Sequence, residues 1–390
     1  METHNETASS FIRERQNCHF PAENGIPFLT FFVYNKSKER KERDAKLSSQ
    51  FRKKRYAEEK RKGGTTMQKK TAAAIALGAL AGIGLGAAAV SCGASKAMTD
   101  LAMDRKIPGY SRFFNVSGKK KSDGGFSAAR KKAMEALEAL PRQDVTIRSA
   151  DGLTLKGHLL TCKYPRRLII AFHGWRSSWS RDFGLVAPFW LENHCNVLLV
   201  EQRAHGDSQG DYLGFGLLER SDCQQWAIWA DKQNFGLPIY LAGISMGSTT
   251  VLMAAGLSMP ESVRGIIADC GFTSPRDIVG HVAKKNLHLN YTWLRSYMID
   301  RNFRKKIHMT TSSYSTLTAM KQTGIPVLFI HGTEDHFVPI EMTYRNYRAC
   351  AARKRLVVVP GAGHAMSFYV NPEACGRAMR EFWKEFDLTE

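Results

Sequence analysis

Three residues in this chain have the types and settings needed for covalent chemistry: a serine, an aspartate and a histidine. Each stands just beyond an apolar run. Ser245 lies in "IYLAGISMGS" (239–248), inside Gly243-Ile244-Ser245-Met246-Gly247, a G-x-S-x-G spacing. Strand-like residues precede it and a small-residue helical pattern follows, which is the strand–turn–helix setting that the spacing requires. A side chain at 243 or 247 would collide with neighbouring backbone in so tight a turn. The turn aims the hydroxyl above the sheet, at a helix N-terminus whose dipole favours a developing anion. Taken alone, the pentapeptide also fits a serine that only caps a helix.

Two later stretches favour the chemical reading. "LFIHGTEDHFVP" (328–339) puts Asp335 in the loop after a strand, and "VVVPGAGHAMSF" (357–368) puts His364 in the loop after the next. A serine hydroxyl is a poor nucleophile near neutral pH. A histidine can take its proton, and an aspartate can fix the imidazole tautomer and stabilise the imidazolium. Glu334 and His336 flank Asp335 and compete with it; His336 is expected to face solvent or the pocket rim. In "AFHGWRSSWS" (171–180) the backbone N–H of Trp175 is the expected oxyanion donor, paired with that of Met246. The Trp175 indole is a candidate wall of the acyl pocket. His173 and His205 are expected to hold loops in place.

Residues of these types act only if the fold brings them together. "QDVTIRSADGLTLKGHLLTC" (143–162) alternates about Asp151-Gly152 and predicts a β-hairpin. Short continuous apolar runs follow at 167–173, 196–202, 238–244, 264–270, 325–331 and 355–360. Such runs mark strands covered on both faces. Helices are predicted over 127–140 and near 182–193, 217–233, 246–257, 341–353 and 372–387. Strand–helix alternation implies a parallel sheet between two helical layers, with ligands beyond the carboxyl ends of its strands.

The N-terminal third is different. Residues 1–66 are polar and charged, and disorder is expected. Met67 is followed by Lys69-Lys70 and the uncharged run "TAAAIALGALAGIGLGAAAVSCGAS" (71–95), the plan of a bacterial export or anchor segment. That plan belongs at an N-terminus. Lys-Gly-Gly upstream can be encoded by a ribosome-binding sequence, so translation from Met67 is expected, with 1–66 as an extension. The run is long enough for a bilayer, and Gly78, Gly82 and Gly86 recur every fourth residue. Lys69 and Lys70 favour an external catalytic domain. "AAVSC" (88–92) leaves open a lipoprotein acylated at Cys92. A basic linker and a helix are expected over 96–140. A protein beginning near residue 105 is expected to keep its activity, since nothing catalytic lies before it.

The chain has 390 residues and a net charge of +20, much of it in 36–46, 51–62 and 118–123. Basic runs suit an anionic membrane surface or nucleic acid. No zinc spacing, helix-turn-helix or RNA-binding signature accompanies them, so nucleic acid is not expected. The eight cysteines form no CxxC pair or Cys/His cluster, and neither a metal nor a disulfide framework is expected.

"HGW", "EQRAHGDSQGDYLGFG" (201–216), "GISMGS", "HGTEDHFVP" and "PGAGHAMS" together resemble the α/β-hydrolase superfamily of serine hydrolases. The likeness covers about 140–390 and is nearest to membrane-anchored bacterial hydrolases of the esterase/serine-aminopeptidase-like group. It implies an α/β-hydrolase fold, with a mostly parallel eight-stranded sheet between helical layers and a short helical cap over 271–324. It implies the Ser-Asp-His order found here and no cofactor. The family usually carries Asp where this chain has Glu201, a structural position. Trp293, Tyr297 and Met298 are candidates for the substrate pocket, or alternatively for packing the cap onto the sheet. The expected substrate is a small or medium acyl ester. Peptidase or amidase, thioesterase or acyltransferase, and an idle membrane-tethered binding protein remain the alternatives.

Overall fold

The computed structural model describes residues 91–107 and 125–387. The chain divides into two units, 1–81 and 82–390, and every described residue belongs to the second. The expectations for 1–66, for most of the apolar run and for the centre of the basic linker lie outside the described residues. Among the described residues, no helix is long and apolar enough to cross a membrane.

Eight strands form one sheet in the order β1-β2-β4-β3-β5-β6-β7-β8. The Asp151-Gly152 turn joins β1 (Gln143–Arg148) and β2 (Thr154–Leu160) as the expected antiparallel hairpin. β2 lies antiparallel to β4 (Cys195–Val200). From there the sheet is parallel through β3 (Arg167–Phe172), β5 (Ile239–Ile244), β6 (Val263–Asp269), β7 (Val327–Gly332) and β8 (Lys354–Val359). The six continuous apolar runs therefore match β3 to β8 within two residues at each end, and the 143–162 stretch holds the hairpin.

Alternation of side chains along each strand builds two cores. On one face Leu168, Ile170, Phe172 and Leu241 pack under α5 (Glu219–Lys232) and α6 (Met246–Ala254), against Trp226 and Val251. On the other, Ile169, Ala171, Tyr240 and Ala242 meet α3 (Trp179–Phe183), α4 (Ala187–Glu192) and the helix Pro372–Phe386, through Phe183, Trp190, Phe382 and Trp383. Each large apolar side chain so buried contributes about 1.5–3 kcal/mol before chain entropy is counted.

The helix predicted near 182–193 is two, α3 and α4, separated over 184–186, where Gly184 lies against α2 (Phe126–Glu138). A Cβ at Gly184 would stand 2.7 Å from the Ala133 carbonyl carbon.

A third core lies above the carboxyl ends of the strands and holds the site. It joins the cap helices α7 (Pro275–Lys285) and α8 (Trp293–Ile307) to Met246, Leu213 and Phe272. It also takes Met98 and Met103 from α1 (91–103). A packed helix thus stands where the reading placed the start of a linker. Its binding partners come from loops far along the chain, so local pattern does not reveal them.

The tightest constraint falls at the β5–α6 junction. A Cβ on Gly247 would lie 1.7 Å from the Phe172 carbonyl oxygen, and one on Gly243 would lie 2.3 Å from the Gly247 carbonyl. We expect Gly247→Ala to cost at least about 3 kcal/mol, the top of the usual overpacking range. Urea denaturation checks this, with Gly324→Ala as reference, because no atom stands within 4 Å of the Cβ there. Equal midpoints for the two variants would contradict the crowding argument.

Candidate active site

Ser245 has φ 55° and ψ −115°, a region that costs a non-glycine residue about 1–3 kcal/mol. Its N–H donates to the Asp269 carbonyl at 2.9 Å, tying the turn to the end of β6. α6 starts at the next residue. The first N–H groups of a helix have no intrahelical acceptor, so the Met246 amide lies beside the hydroxyl without a partner in the helix ladder.

The loops after β7 and β8 are locked together. Thr333 N–H donates to the Val359 carbonyl (3.1 Å), Glu334 N–H to the Ala362 carbonyl (2.9 Å), and Gly361 N–H to the Thr333 hydroxyl (2.9 Å). This crossing sets Asp335 opposite His364. Imidazole Nδ1 lies 2.7 Å from Asp335 Oδ2, and Nε2 lies 2.9 Å from Ser245 Oγ. Nδ1–H therefore donates to the carboxylate, which leaves Nε2 to accept the serine proton. The three predicted residues form one hydrogen-bonded line.

Asp335 is buried, which by itself raises a carboxyl pKa. The opposing effects win: the His364 charge, hydrogen bonds from His331 and His364, and the His331 charge hold it well below the usual range. Its other oxygen accepts from the Phe337 and Val338 amides, each at 2.9 Å. His331 Nε2 lies 3.2 Å from Asp335 Oδ2, a support that the sequence reading missed. For His364, burial favours the neutral ring, but the Asp335 charge and hydrogen bond outweigh it, helped by Asp269 and Asp182. Its pKa lies above 6.5. Asp269, also missed, sits at the end of β6 and accepts from Ser367 Oγ at 2.9 Å; burial raises it to about 6.

The 171–180 loop is held from several sides. Asp182 accepts from Gly174 N–H at 2.7 Å and from the Ser177 hydroxyl at 2.5 Å. His205 Nε2 accepts the Arg176 N–H at 3.1 Å, and burial lowers His205 to about 3, so it stays neutral. His173 is fully buried, lowered to about 4 by desolvation, and accepts from Gln202 N–H at 3.2 Å. Both histidines thus hold loops, as expected. The Trp175 amide, between Gly174 and Arg176, has no acceptor among the described residues. Glu334 and His336 pair with each other at 3.5 Å on the exposed rim. Glu201 accepts from His158 (3.2 Å) and from the Asp207 amide (2.6 Å), a scaffold role that a carboxylate one methylene longer fulfils here.

An apolar pocket opens at Ser245, between Phe215, Phe272 and Phe337, the α7 residues Ile278, Val279 and Val282, and Met98, Leu101 and Ala102 of α1. The Trp175 indole lines it as well. Trp293, Tyr297 and Met298 do not. Trp293 is 81% and Tyr297 57% exposed. α8 turns Ser296, Ile299, Phe303 and Ile307 inward. At about 100° per residue, Tyr297 and Met298 fall off that face, and Trp293 precedes it. The pocket assignment for these three is therefore corrected. The α1 residues before 105 also line this pocket, a contribution that no motif announced. A wider, more polar cleft that also reaches Ser245 includes Arg176, Arg181 and Asp182.

Among the described residues, Cys270, Asp335 and His364 bring potential metal donors within 4.8 Å of one another. His364 and Asp335 are engaged with each other and with Ser245, and burial raises the Cys270 thiol well above its ordinary range. The set does not fit a metal.

Fold and site together define a protein of the α/β-hydrolase type. A family model described as "Alpha/beta hydrolase family" matches residues 169–378, and the chain belongs to that family. Rv2307c of Mycobacterium tuberculosis is 30% identical over 265 residues, covering 65% of this chain and 82% of the relative. YqkD of Bacillus subtilis is 26% identical over 265 residues, covering 68% of this chain and 85% of the relative. Both bear the name "uncharacterized protein". Among solved structures, the esterase Pf2001 of Pyrococcus furiosus is similar at 26% identity and a TM-score of 0.50, covering 65% of this chain and 93% of its own. Family and neighbours support a hydrolase.

Ring-proton NMR of His364 tests the electrostatics. The titration midpoint should lie above 6.5 in the wild type and drop in Asp335→Asn, where burial remains but the paired charge is gone. A midpoint that does not move would contradict the pairing.

Proposed function

We propose that the protein is a serine hydrolase that cleaves carboxylic esters through an acyl-enzyme. The observation that carries this is the continuous line from Ser245 Oγ through His364 to Asp335, at 2.9 and 2.7 Å. His364 Nε2 takes the hydroxyl proton as Oγ attacks the acyl carbonyl. The Trp175 and Met246 amides receive the oxyanion, and each such donor is worth about 2.7–4 kcal/mol in the transition state. His364 then returns the proton to the leaving alkoxide, and water activated by the same ring releases the acid.

The ester reading rests on the character of the pocket. Apart from the Ser245 hydroxyl, apolar side chains line it. Among the described residues no carboxylate lines this pocket, so the free ammonium of a peptide N-terminus would be buried there unpaired, which is costly; Asp182 and Glu334 lie in the neighbouring polar cleft. The name of the 26%-identical esterase agrees with this choice.

The run 71–95 is read as a membrane anchor, with the catalytic domain outside the cytoplasm and Cys92 acylation as the variant form. Fractionation with alkaline extraction tests the anchor: release into the soluble fraction would refute it.

With p-nitrophenyl butyrate we expect a burst followed by steady turnover. kcat/KM should rise with pH through the His364 pKa, because only the neutral ring can accept the proton. Ser245→Ala should lower kcat by at least about 10³-fold, leaving only residual catalysis. Aminoacyl anilides should turn over far more slowly than esters. A Ser245→Ala enzyme with full activity, or faster anilide cleavage, would overturn the proposal.

A further inference from the structure

Helix α1 lies outside the residues matched by the family model, yet it closes the apolar pocket. Met98, Leu101 and Ala102 form one side. Ile278, Val279 and Val282 of α7 form the other, and Ser245 is part of the lining. The helix is built in. Its last carbonyls, which a helix cannot satisfy internally, are taken by the loop carrying the proposed oxyanion donor. The Trp175 indole N–H donates to the Ala102 carbonyl at 2.8 Å. The Arg176 guanidinium donates to the Leu101 and Asp104 carbonyls at 2.8 and 2.6 Å.

Further ties come from both flanks. Leu213 N–H donates to the Met103 carbonyl at 2.7 Å. The Arg105 guanidinium reaches the Gly206 and Ser208 carbonyls, both at 2.6 Å. Lys306 of α8 pairs with Asp100 at 3.0 Å and with Asp104. α1 is therefore fixed to the cap and to the oxyanion loop at once.

We propose that α1 is the acyl-chain gauge of the site: Met98, Leu101 and Ala102 set how long an unbranched, wholly aliphatic acyl chain can extend from Ser245 between α1 and α7. A hydroxyl, amine or carboxyl along that chain finds no partner on these walls, and an unpaired buried polar group is penalised. Branching toward α1 is limited because that helix is held by the 171–180 loop and by α8. The proposal rests on the hydrolase reading for the word acyl, but the gauge itself is a binding property.

The test separates the two. Full-length Ser245→Ala protein in nanodiscs is titrated calorimetrically with primary alcohols of two to ten carbons, with empty nanodiscs as reference. Affinity should rise about fourfold per added methylene, the value for burying one CH₂, and then level off where the chain meets the wall. Ala102→Phe should bring the plateau at least two carbons earlier, and the double variant Met98→Ala, Leu101→Ala should move it later. Trp293→Ala, on the exposed face of α8, should leave it in place. The opposite directions guard against loss of folding in one variant. The same ordering should appear in kcat/KM for p-nitrophenyl esters on the Ser245 background. Plateaus that coincide in all variants would overturn the gauge. Shifted plateaus without ester turnover would keep the gauge and count against the hydrolase reading instead.

Discussion

The structure depends on one crowded junction. β5 must stop and α6 must begin within a single residue, and that residue is Ser245. Glycines on both sides make this possible, since the Gly247 backbone lies directly against the Phe172 carbonyl of the neighbouring strand. The strain at Ser245 is held by the sheet and by the buried α6, every residue of which is packed. A serine in relaxed backbone would lie along the strand or the helix. Here it stands at the top of the sheet, next to a helix N-terminus, where the loops of two later strands can reach it.

Those loops supply the electrostatics. Asp335 is buried yet charged, because two histidines and two amides surround its oxygens. Its charge raises His364, whose second nitrogen faces the hydroxyl. Asp269 behind them adds negative potential while itself raised to about 6 by burial. Around this core the neutral His173 and His205 fix the 171–180 loop by accepting backbone N–H groups. The polar groups of the site thus gather at the strand ends, and the apolar side chains of the third core pack above them.

Much of this was legible in the sequence. Continuous apolar runs gave the parallel strands because those strands are covered on both faces, and G-x-S-x-G with the later Asp335 and His364 loops gave the hydrogen-bonded line. What was not legible has physical causes. Asp269 and His331 each sit within or at the end of an apolar run, and only the three-dimensional neighbourhood shows that they face the triad loops. Trp293 and Tyr297 are large aromatics in the cap, so they drew a pocket assignment, but the packed face of α8 is set by Ser296, Ile299, Phe303 and Ile307. α1 was missed because its carbonyls are capped by Trp175 and Arg176, more than 70 positions away in the chain.

The central claim is that this geometry makes one hydroxyl reactive among all those in the chain. The most direct measurement is labelling of the full-length protein with a fluorophosphonate at neutral pH, followed by peptide mass spectrometry. The account predicts a single phosphonylated residue, Ser245, with labelling abolished by unfolding and strongly slowed by His364→Ala. Label spread over other serines, or a folded protein whose Ser245 stays unmodified, would contradict it.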